Sequence, residues 1–588
     1  MADRPDRLRL VEGGTRNYRT SRRARLIFDL RTSRIGGVLT KQPWCPTNRV
    51  RYTSACCMRP WSRVQAIGAS GHRDARAPTT IAPAMHRRLE LWTLGLFLAG
   101  FCTYRAVTQS ITYDEACTYI QFVRGSWWNA VTQYSANNHV LFTLLAKLST
   151  DTLGVTELTL RLPTLLGAGL YVTSAFALCR RLAEDRIVAG LASAALTLNP
   201  FVLDFLVAAR GYGLALGFLL MALVLLARAL ERSDVGRNAW WLAGTSVALG
   251  LSVSANLAFL FPGVAVVCAT AAIAPCFRAG RRAIAWLVIP GAVLAAATLT
   301  LPLSHARPED FFYGATSLGE GVTSLVTASL HYHDTRLPGM TSNASDVVVA
   351  AVGYAAVNVA ALWLGRSLTR YWRALRHPGA TDVPPALTVL LTAATLCAPL
   401  LAVAAHLVCG VAYPQERTAL YLIPMCTLAL VGSRRGARRM MIKRAALAIV
   451  VALYAAQLDW THFRTWRFDA SSRQLFALAR TARQHDHCPG SLAASWLYEP
   501  SLRFYATILT SEECPLDVVH AWQPGMRGYD VYVLTPDDDA AMITPLDVIH
   551  VDRLSGAAVA VEQLPDAQLA RRKPSAPRGL DGHGDDNT

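Results

Sequence analysis

Long stretches without a charged side chain are the feature that most constrains this chain. Residues 239–277, 283–304, 347–365 and 383–415 contain no Asp, Glu, Lys or Arg. A stretch of about 18 or more such residues is long enough to cross the hydrocarbon core of a bilayer. Pro262 lies near the middle of 239–277, so this stretch predicts two spans that meet in a short hairpin. The chain is therefore expected to be an integral membrane protein.

Six shorter apolar stretches raise the expected number of transmembrane helices to about eleven. They are residues 91–110, 162–179, 187–205, 211–227, 418–433 and 445–458. The predicted fold class is thus an all-α polytopic membrane protein across residues 85–459.

The net charge of +18 is concentrated at the amino-terminal end. Residues 1–84 contain 17 Lys and Arg against 5 Asp and Glu, and they show no helical or strand periodicity. We expect a basic, disordered extension here. A misassigned start is the alternative, because Met85 precedes two arginines and the first apolar stretch. A charge placed this way does not indicate a nucleic-acid partner.

The remaining basic residues predict which loops face the cytoplasm, because Lys and Arg concentrate on that side. They lie at 87–88, 180–186, 228–237, 278–282, 366–376 and 434–444. Alternation then puts the first loop, 111–161, and the later loop, 304–345, on the outer face. Residues 140–150 are too few to cross a bilayer, so we expect an interfacial helix there.

The sequence after residue 459 differs in kind from the apolar part. Short β-branched or apolar runs at 491–495, 530–534 and 548–551 predict strands, so residues 460–570 are expected to form a small extracytoplasmic α/β domain. Residues 571–588 are expected to be a disordered tail. Cys488 and Cys514 lie in the expected extracytoplasmic domain, where oxidation is permitted, so a disulfide between them is one alternative.

The first outer loop contains the strongest candidates for chemistry. Asp114 and Glu115 are adjacent carboxylates directly after the first span, and His139 follows two amides at the start of the expected interfacial helix. An imidazole and amides at a helix N-terminus can donate to an anion. Helix capping and a solvated charge are the structural alternatives.

Two arginines at the outer ends of spans add cations to this face. Arg210 precedes Gly211 and Tyr212, and Arg417 follows Glu416. An anchor that reaches toward the headgroups is the alternative for each arginine. The predicted topology nevertheless brings both to the side that carries Asp114, and a carboxylate with convergent cations suits transfer from a lipid-linked phosphate.

Two further patterns in the loop 304–345 are weaker. His331, His333 and Asp334 have a spacing that metal ligands can have, but a single pattern of this kind in a loop does not predict zinc. Asn343 begins an Asn-Ala-Ser glycosylation sequence, which has meaning only in a secretory pathway.

Taken in order, these motifs resemble the bacterial branch of the dolichyl-phosphate-mannose-protein mannosyltransferase-like family, which belongs to the GT-C superfamily. The motifs are Tyr113-Asp114-Glu115, Asn137-Asn138-His139-Val140-Leu141, Arg161-Leu162-Pro163, Arg210-Gly211-Tyr212, Glu416-Arg417 and Tyr421. The resemblance covers roughly residues 85–459. Family members often have prolines after the histidine, where this chain has Val140 and Leu141.

The resemblance implies a membrane glycosyltransferase that uses a polyprenyl-phosphate-linked sugar and inverts the anomeric centre. It implies the bacterial inner membrane as location, with the site on the extracytoplasmic face, and a glycan, lipid or protein as acceptor. The implied general base is Asp114, with Glu115 to orient it. The phosphate would be bound by His139, Arg210, Tyr212 and Arg417, and the acceptor or loop would be positioned by Tyr113, Asn137 and Asn138. No cofactor is implied, and metal dependence is left open.

Two other classes of function remain as alternatives. A transporter or lipid flippase would use Asp114 and Arg210 as ligands, but such proteins place ionisable groups near the midplane, where these spans have few. A polytopic scaffold would be favoured if the loop carboxylates were dispensable. The sequence identifies neither the sugar nor the acceptor.

Overall fold

The computed structural model describes residues 82–562, apart from short gaps. The gaps are 184, 232–234, 274–280, 312, 331–343, 377–385, 434–436, 483–490, 510–518, 524–525, 536–537 and 539–545. The expected disulfide, the His331 pattern, the Asn343 sequence, the tail and nearly all of the extension lie outside the described residues. The described chain is mostly helical with one small sheet, as the sequence predicts.

The helices follow one another along the chain with short connections. In order they are α1 (Ala82–Thr108), α2 (Tyr113–Thr118), α3 (Trp127–Thr132), α4 (Val140–Leu153), α5 (Glu157–Leu182), α6 (Arg186–Thr197), α7 (Pro200–Val207), α8 (Gly211–Leu230), α9 (Val235–Ala255), α10 (Leu260–Ile273), α11 (Arg281–Ser304), α12 (Leu318–Leu330), α13 (Ala344–Arg376), α14 (Ala386–Cys409), α15 (Leu422–Val431), α16 (Ala437–Ala456), α17 (Ser472–Thr481) and α18 (Glu499–Leu509). A π-helical turn, Tyr119–Val123, continues α2.

Among the described residues, four helices are long and apolar enough to cross a membrane: α5, α8, α11 and α14. A fifth span results if α6 and α7, which are bent by 58° at their junction, count as one. Large apolar side chains such as Trp286, Ile289 and Leu407 are exposed on these helices, as lipid-facing positions require. The chain is an integral membrane protein, and the number of about eleven spans stays a prediction.

The hairpin expected at Pro262 breaks earlier than predicted, at Asn256. Asn256 is extended, with φ −160°, and its side-chain oxygen accepts from the amide of Ala258. Helix α10 begins at Leu260, so Pro262 lies in its first turn. A proline is tolerated there because the first amides of a helix have no intrahelical partner.

Glycines allow helices α5 and α8 to pack closely. A Cβ on Gly167 would lie 2.7 Å from backbone atoms of Leu214, and one on Gly217 would lie 2.5 Å from the carbonyl oxygen of Gly167. Small residues let membrane helices approach this closely. The contact holds the first half of α5 beside the start of α8.

Helix α4 is the element expected to lie in the membrane interface. It has 14 residues, which corresponds to a length of about 21 Å at 1.5 Å per residue. The hydrocarbon core is about 30 Å thick, so α4 alone cannot cross it. Its position relative to the bilayer remains a prediction.

The sheet in the carboxyl-terminal part has five strands in the order β2-β1-β3-β5-β4. They are β1 (Leu492–Ser495), β2 (Val519–Trp522), β3 (Val531–Leu534), β4 (Leu546–Val551) and β5 (Ala558–Glu562). Strands β2, β1 and β3 are parallel, whereas β5 and β4 run antiparallel. Three of these strands correspond to runs that the sequence predicts, and β2 and β5 were not predicted.

Candidate functional site

Asp114 lies where four separate segments of the chain meet. It is in the first turn of α2, and its side chain is largely buried. Its Oδ2 accepts from Arg417 Nη1 at 3.0 Å and from Trp466 Nε1 at 3.1 Å. Its Oδ1 lies 3.4 Å from Arg210 Nη1. An anionic carboxylate is thus surrounded by two guanidinium groups and an indole.

Glu115, the adjacent carboxylate, is fully buried and has a different environment. Arg161 binds it in a bidentate pair, with N–O distances of 2.8 and 2.7 Å. Glu115 also accepts from the amides of Thr112 and Ala209, and with Thr112 it forms a capping box. The capping alternative therefore holds for Glu115. Its contacts connect α2, α5 and the segment that leads into α8.

Arg161, near the N-terminal end of α5, is the partner of Glu115. Besides Glu115, its guanidinium donates to the carbonyl oxygens of Ala106, Gln109 and Ser110 at 2.7–3.1 Å. A buried guanidinium requires such partners for its donors. The sequence singled out Arg161 only as part of a motif, without a role.

Arg210 is buried rather than directed to the headgroups, with an exposed fraction of 1%. Its Nη1 donates to Asn137 Oδ1 at 3.0 Å and to the carbonyl oxygen of Asp114 at 3.3 Å. Its Nε, also buried, has no hydrogen-bond partner among the described residues. Arg210 thus connects the loop before α4 to Asp114 and retains one unused donor.

Asn138 and His139 have different roles at the start of α4. The amide of Asn138 donates to the carbonyl oxygens of Ala130 and Gln133, and its oxygen accepts from Thr143. Asn138 therefore closes the loop. His139 makes no capping bond with its side chain, and within the part of the chain that the structure describes its buried Nε2 has no hydrogen-bond partner.

The neighbours of His139 keep its ring uncharged. Burial, followed by the charges of Arg210 and Arg417, holds the pKa of His139 well below 6.5, although Asp114 acts in the opposite direction. The ring lies edge-on to Tyr212, with centroids 5.2 Å apart. A neutral imidazole with an unpartnered nitrogen can bind a ligand through a hydrogen bond.

Gly211 allows this close arrangement. A Cβ at this position would lie 1.9 Å from the carbonyl oxygen of Ala255 and 2.7 Å from Cβ of His139. Only glycine fits without displacing the backbone of α9 or the histidine.

Arg417 is the cation with the most solvent access, since 23% of its side chain is exposed. Its guanidinium carbon lies 4.1 Å from the centre of the Tyr313 ring. Burial opposes its charge, but Asp114 and the nearby phenols and Glu416 outweigh burial and raise the pKa of Arg417. The residue stays charged.

The turn that carries Arg417 is strained at Glu416, which has φ +40°. Positive φ is uncommon for residues other than glycine and persists only where the surroundings enforce it. Here Tyr313 donates to the Glu416 carboxylate at 3.0 Å, and the Glu416 amide donates to Ser324 at 3.1 Å. These bonds hold Arg417 over Tyr313.

Tyr113 borders the site on the side of the sheet. Burial first, and then Cys117 and Asp114, raise the pKa of Tyr113 to about 12. Its amide donates to Asp469, and its ring lies 6.1 Å from that of Trp496. Tyr113 is therefore a protonated phenol beside Asp114.

Residues after α16 complete the site, and sequence reasoning missed them. Besides Trp466, Thr465 donates through its amide and hydroxyl to Asp204, at 2.9 and 3.0 Å. Asp204 is also paired with Arg105 at 2.7 Å, and both are buried. The pair holds the segment that carries Trp466. The only sequence signal for the segment that carries Trp466 is an aromatic and basic run, residues 460–469, directly after the last apolar stretch.

Within the described part of the chain, no group of three or more His, Cys, Asp or Glu side chains is arranged to hold a metal ion.

Comparisons with known proteins give similar structures only. No family model matches the chain, and none of the curated proteins matches it. ArnT from Cupriavidus metallidurans bound to undecaprenyl phosphate is similar over 81% of this chain and 98% of that one, with 14% identity and a TM-score of 0.39. Archaeal oligosaccharyltransferase AglB from Archaeoglobus fulgidus, in complex with an inhibitory peptide and a dolichol-phosphate, is similar over 72% of this chain and 64% of that one, with 12% identity and a TM-score of 0.37.

Proposed function

We propose that this chain is a membrane glycosyltransferase that transfers a sugar from a polyprenyl-phosphate donor to an acceptor on the extracytoplasmic face. The observation that supports it most is the Asp114 carboxylate held between Arg210, Arg417 and Trp466. One anion and two cations in a poorly solvated site provide a base and a place for a phosphate.

Asp114 is the general base in this proposal. Its carboxylate takes the proton from an acceptor hydroxyl while the oxygen attacks the anomeric carbon of the donor sugar. The new C–O bond forms as the bond from that carbon to the phosphate oxygen breaks, and the electron pair remains on the phosphate. Attack opposite to the leaving group inverts the anomeric centre.

Arg417 is the residue that first meets the phosphate. It is more exposed than Arg210, and its guanidinium has donors beyond the one that contacts Asp114. Because phosphate gains negative charge as it leaves, a fixed cation there stabilises the transition state more than the ground state. A phosphate that draws Arg417 toward itself also weakens its bond to Asp114, which makes the carboxylate a stronger base.

Arg210 and His139 form the buried part of the proposed phosphate site. The unpartnered Arg210 Nε and His139 Nε2 are buried donor or acceptor positions that a ligand would satisfy. Tyr212 packs against His139 and supplies a phenol on the same side. Glu115, Asn137 and Asn138 are positioning residues, because their contacts fix the loop.

Transport is the rival function, and the bent pair α6–α7 with the buried ion pair Arg105–Asp204 is what would favour it. However, Arg105 lies in the last turn of α1 and also donates to the carbonyl oxygen of His462. The pair thus has a structural partner at the end of a helix. Enzymatic transfer is the better explanation.

Binding of the donor lipid tests the proposal directly. Undecaprenyl phosphate should raise the thermal midpoint of the purified chain, by mass action on the folded state. Arg417→Gln should reduce this shift, whereas Arg444→Gln, which removes an exposed cation paired with Asp185, should not. Midpoints without lipid control for folding. A wild-type chain that undecaprenyl phosphate does not stabilise would overturn the proposal.

A further inference from the structure

A cavity of about 650 Å³ lies beside the site but does not include Asp114 or either of its arginines. It is bordered by the π-helical turn after α2, by α3 and the residues that follow it, and by the end of α11 with the segment after it. Its size is in the range of small-molecule sites. The functional site described above leaves it without a role.

The lining combines aromatic rings, neutral hydrogen-bonding groups and, after α11, His305 with one residue of each charge, Arg307 and Asp310. The side chains that matter here are Gln121, Phe122, Trp128, Gln133 and Tyr134. Amides and hydroxyls pair with sugar hydroxyl groups, and aromatic faces pack against the C–H face of a sugar ring. Burial, with a smaller effect of Asp310, raises the pKa of Tyr134 to about 12, so its phenol keeps its proton.

A continuous helical run joins the cavity wall to the base. Asp114 and Gln121 belong to one continuous helical run, formed by α2 and the turn Tyr119–Val123. Seven residues at 1.5 Å each correspond to about 10 Å. The cavity wall at Gln121 thus lies about two helical turns from the base along this run. An acceptor of at least two sugar units would extend from one to the other.

The cavity and the site also share a loop. Ser135 lines the cavity, and its hydroxyl accepts from the amide of Asn137 at 3.3 Å. Asn137 in turn accepts from Arg210 at 3.0 Å. Tyr134, the neighbour of Ser135 in this loop, packs against Phe311, with ring centres 5.1 Å apart. A molecule that fills the cavity rests on the loop that leads to His139 and that contacts Arg210 through Asn137.

We propose that this cavity binds a neutral sugar unit of the acceptor, so that the acceptor is a glycan of at least two sugar units. The inference rests on the proposed function and names its acceptor class. The unit in the cavity does not react. It supplies binding energy at a distance, which positions the reacting hydroxyl at Asp114.

Two adjacent tryptophans give a matched pair of variants. Trp127 and Trp128 are both exposed on α3, but only Trp128 lines the cavity, whereas Trp127 packs under Lys147. The full chain is placed in lipid nanodiscs, and saturation transfer to free saccharides is measured by NMR. The probes are the methyl glycosides of mannose, glucose and galactose and the corresponding disaccharides.

Saturation transfer to at least one disaccharide is expected for the wild type. Trp128→Ala should weaken that binding by about tenfold or more, as loss of a tryptophan contact usually does, and Trp127→Ala should leave it unchanged. Binding is measured without a donor, so the test does not depend on transfer and separates this proposal from the proposed function.

Three outcomes would overturn the proposal. One is the absence of saturation transfer to every saccharide in the wild type. Another is an equal effect of Trp127→Ala and Trp128→Ala, which would mean that both residues only hold α3 at the lipid headgroups. The third applies once a transfer assay exists: a Trp128→Ala variant that raises KM for the donor and not for the acceptor would assign the cavity to the donor.

Discussion

Trp466 donates a hydrogen bond of 3.1 Å to Asp114, although the two residues are 352 positions apart. The bond connects the segment after α16 to the loop that follows α1. Residues far apart in the sequence therefore form the environment of Asp114. A carboxyl-terminal truncation before Trp466 would leave the carboxylate without one of its donors.

The first prediction concerns the indole N–H of Trp466. Trp466→Phe keeps a ring against Phe205 but removes the donor to Asp114. The bond fixes the orientation of the carboxylate, and displacing a catalytic group by about 1 Å can cost about 100-fold, so the transfer rate should fall by roughly tenfold or more. Trp460→Phe, in the same segment but exposed, is the control and should transfer like the wild type. Equal rates for both variants would contradict the role of Trp466.

Glu115 should affect folding rather than chemistry. Glu115→Gln leaves Arg161 buried beside a neutral amide, and breaking a buried pair costs about 3–5 kcal/mol. The yield and thermal midpoint of the purified protein should fall. Glu231→Gln, which removes the partner of Arg181 in an exposed pair, should change the free energy of unfolding by less than about 1 kcal/mol. A fully stable, inactive Glu115→Gln protein would instead make Glu115 catalytic.

Gly211 offers a steric test of the His139 position. Gly211→Ala places a methyl group against Ala255 and His139, so it should lower both stability and donor binding. Gly169→Ala is the control, because a Cβ there meets nothing within 4 Å. In a helix it should be neutral or stabilising by up to about 1 kcal/mol. Similar thermal midpoints for the two variants would contradict the predicted contact.

His139 should make the protein less stable in acid. Its pKa in the folded state is far below 6.5, because of burial and the two arginines. Below about pH 6.5 the unfolded chain binds a proton that the folded chain does not, so the free energy of unfolding falls by up to about 1.4 kcal/mol per pH unit. The contribution is fully present above that pH. His139→Gln should flatten the decline in thermal midpoint between pH 6.5 and 5. Parallel curves would contradict a buried neutral His139.

The sequence predicts the polar residues of the site better than it predicts their partners. Arginine placement alone predicts a common outer face for Asp114, Arg210 and Arg417, and the structure brings their side chains into contact. The alternative of surface anchoring does not describe Arg210, which is buried. The orientation of the loops relative to the bilayer stays a prediction.

The sequence does not identify Trp466 and Asp204 as site residues, because their contacts depend on tertiary packing. No periodicity connects residue 466 to residue 114, and Asp204 lies at the edge of an apolar stretch where a charge pattern predicts nothing. Strands β2 and β5 were missed although turn residues flank each of them in the sequence, Pro524-Gly525 after β2 and Ser555-Gly556 before β5. The break at Asn256 was missed since the Asn cap is a weaker sequence signal than Pro262.

The most direct test of the proposed chemistry is sugar transfer by Asp114→Asn. Asparagine keeps the size and can still accept from Trp466, but it cannot take a proton from an acceptor hydroxyl. Purified wild-type and variant proteins should be compared with polyprenyl-phosphate-linked sugars as donors, and undecaprenyl phosphate should still stabilise both. The account predicts that transfer falls by at least about 100-fold, the usual contribution of a general base, in a folded protein. Transfer at the wild-type rate by Asp114→Asn would contradict it.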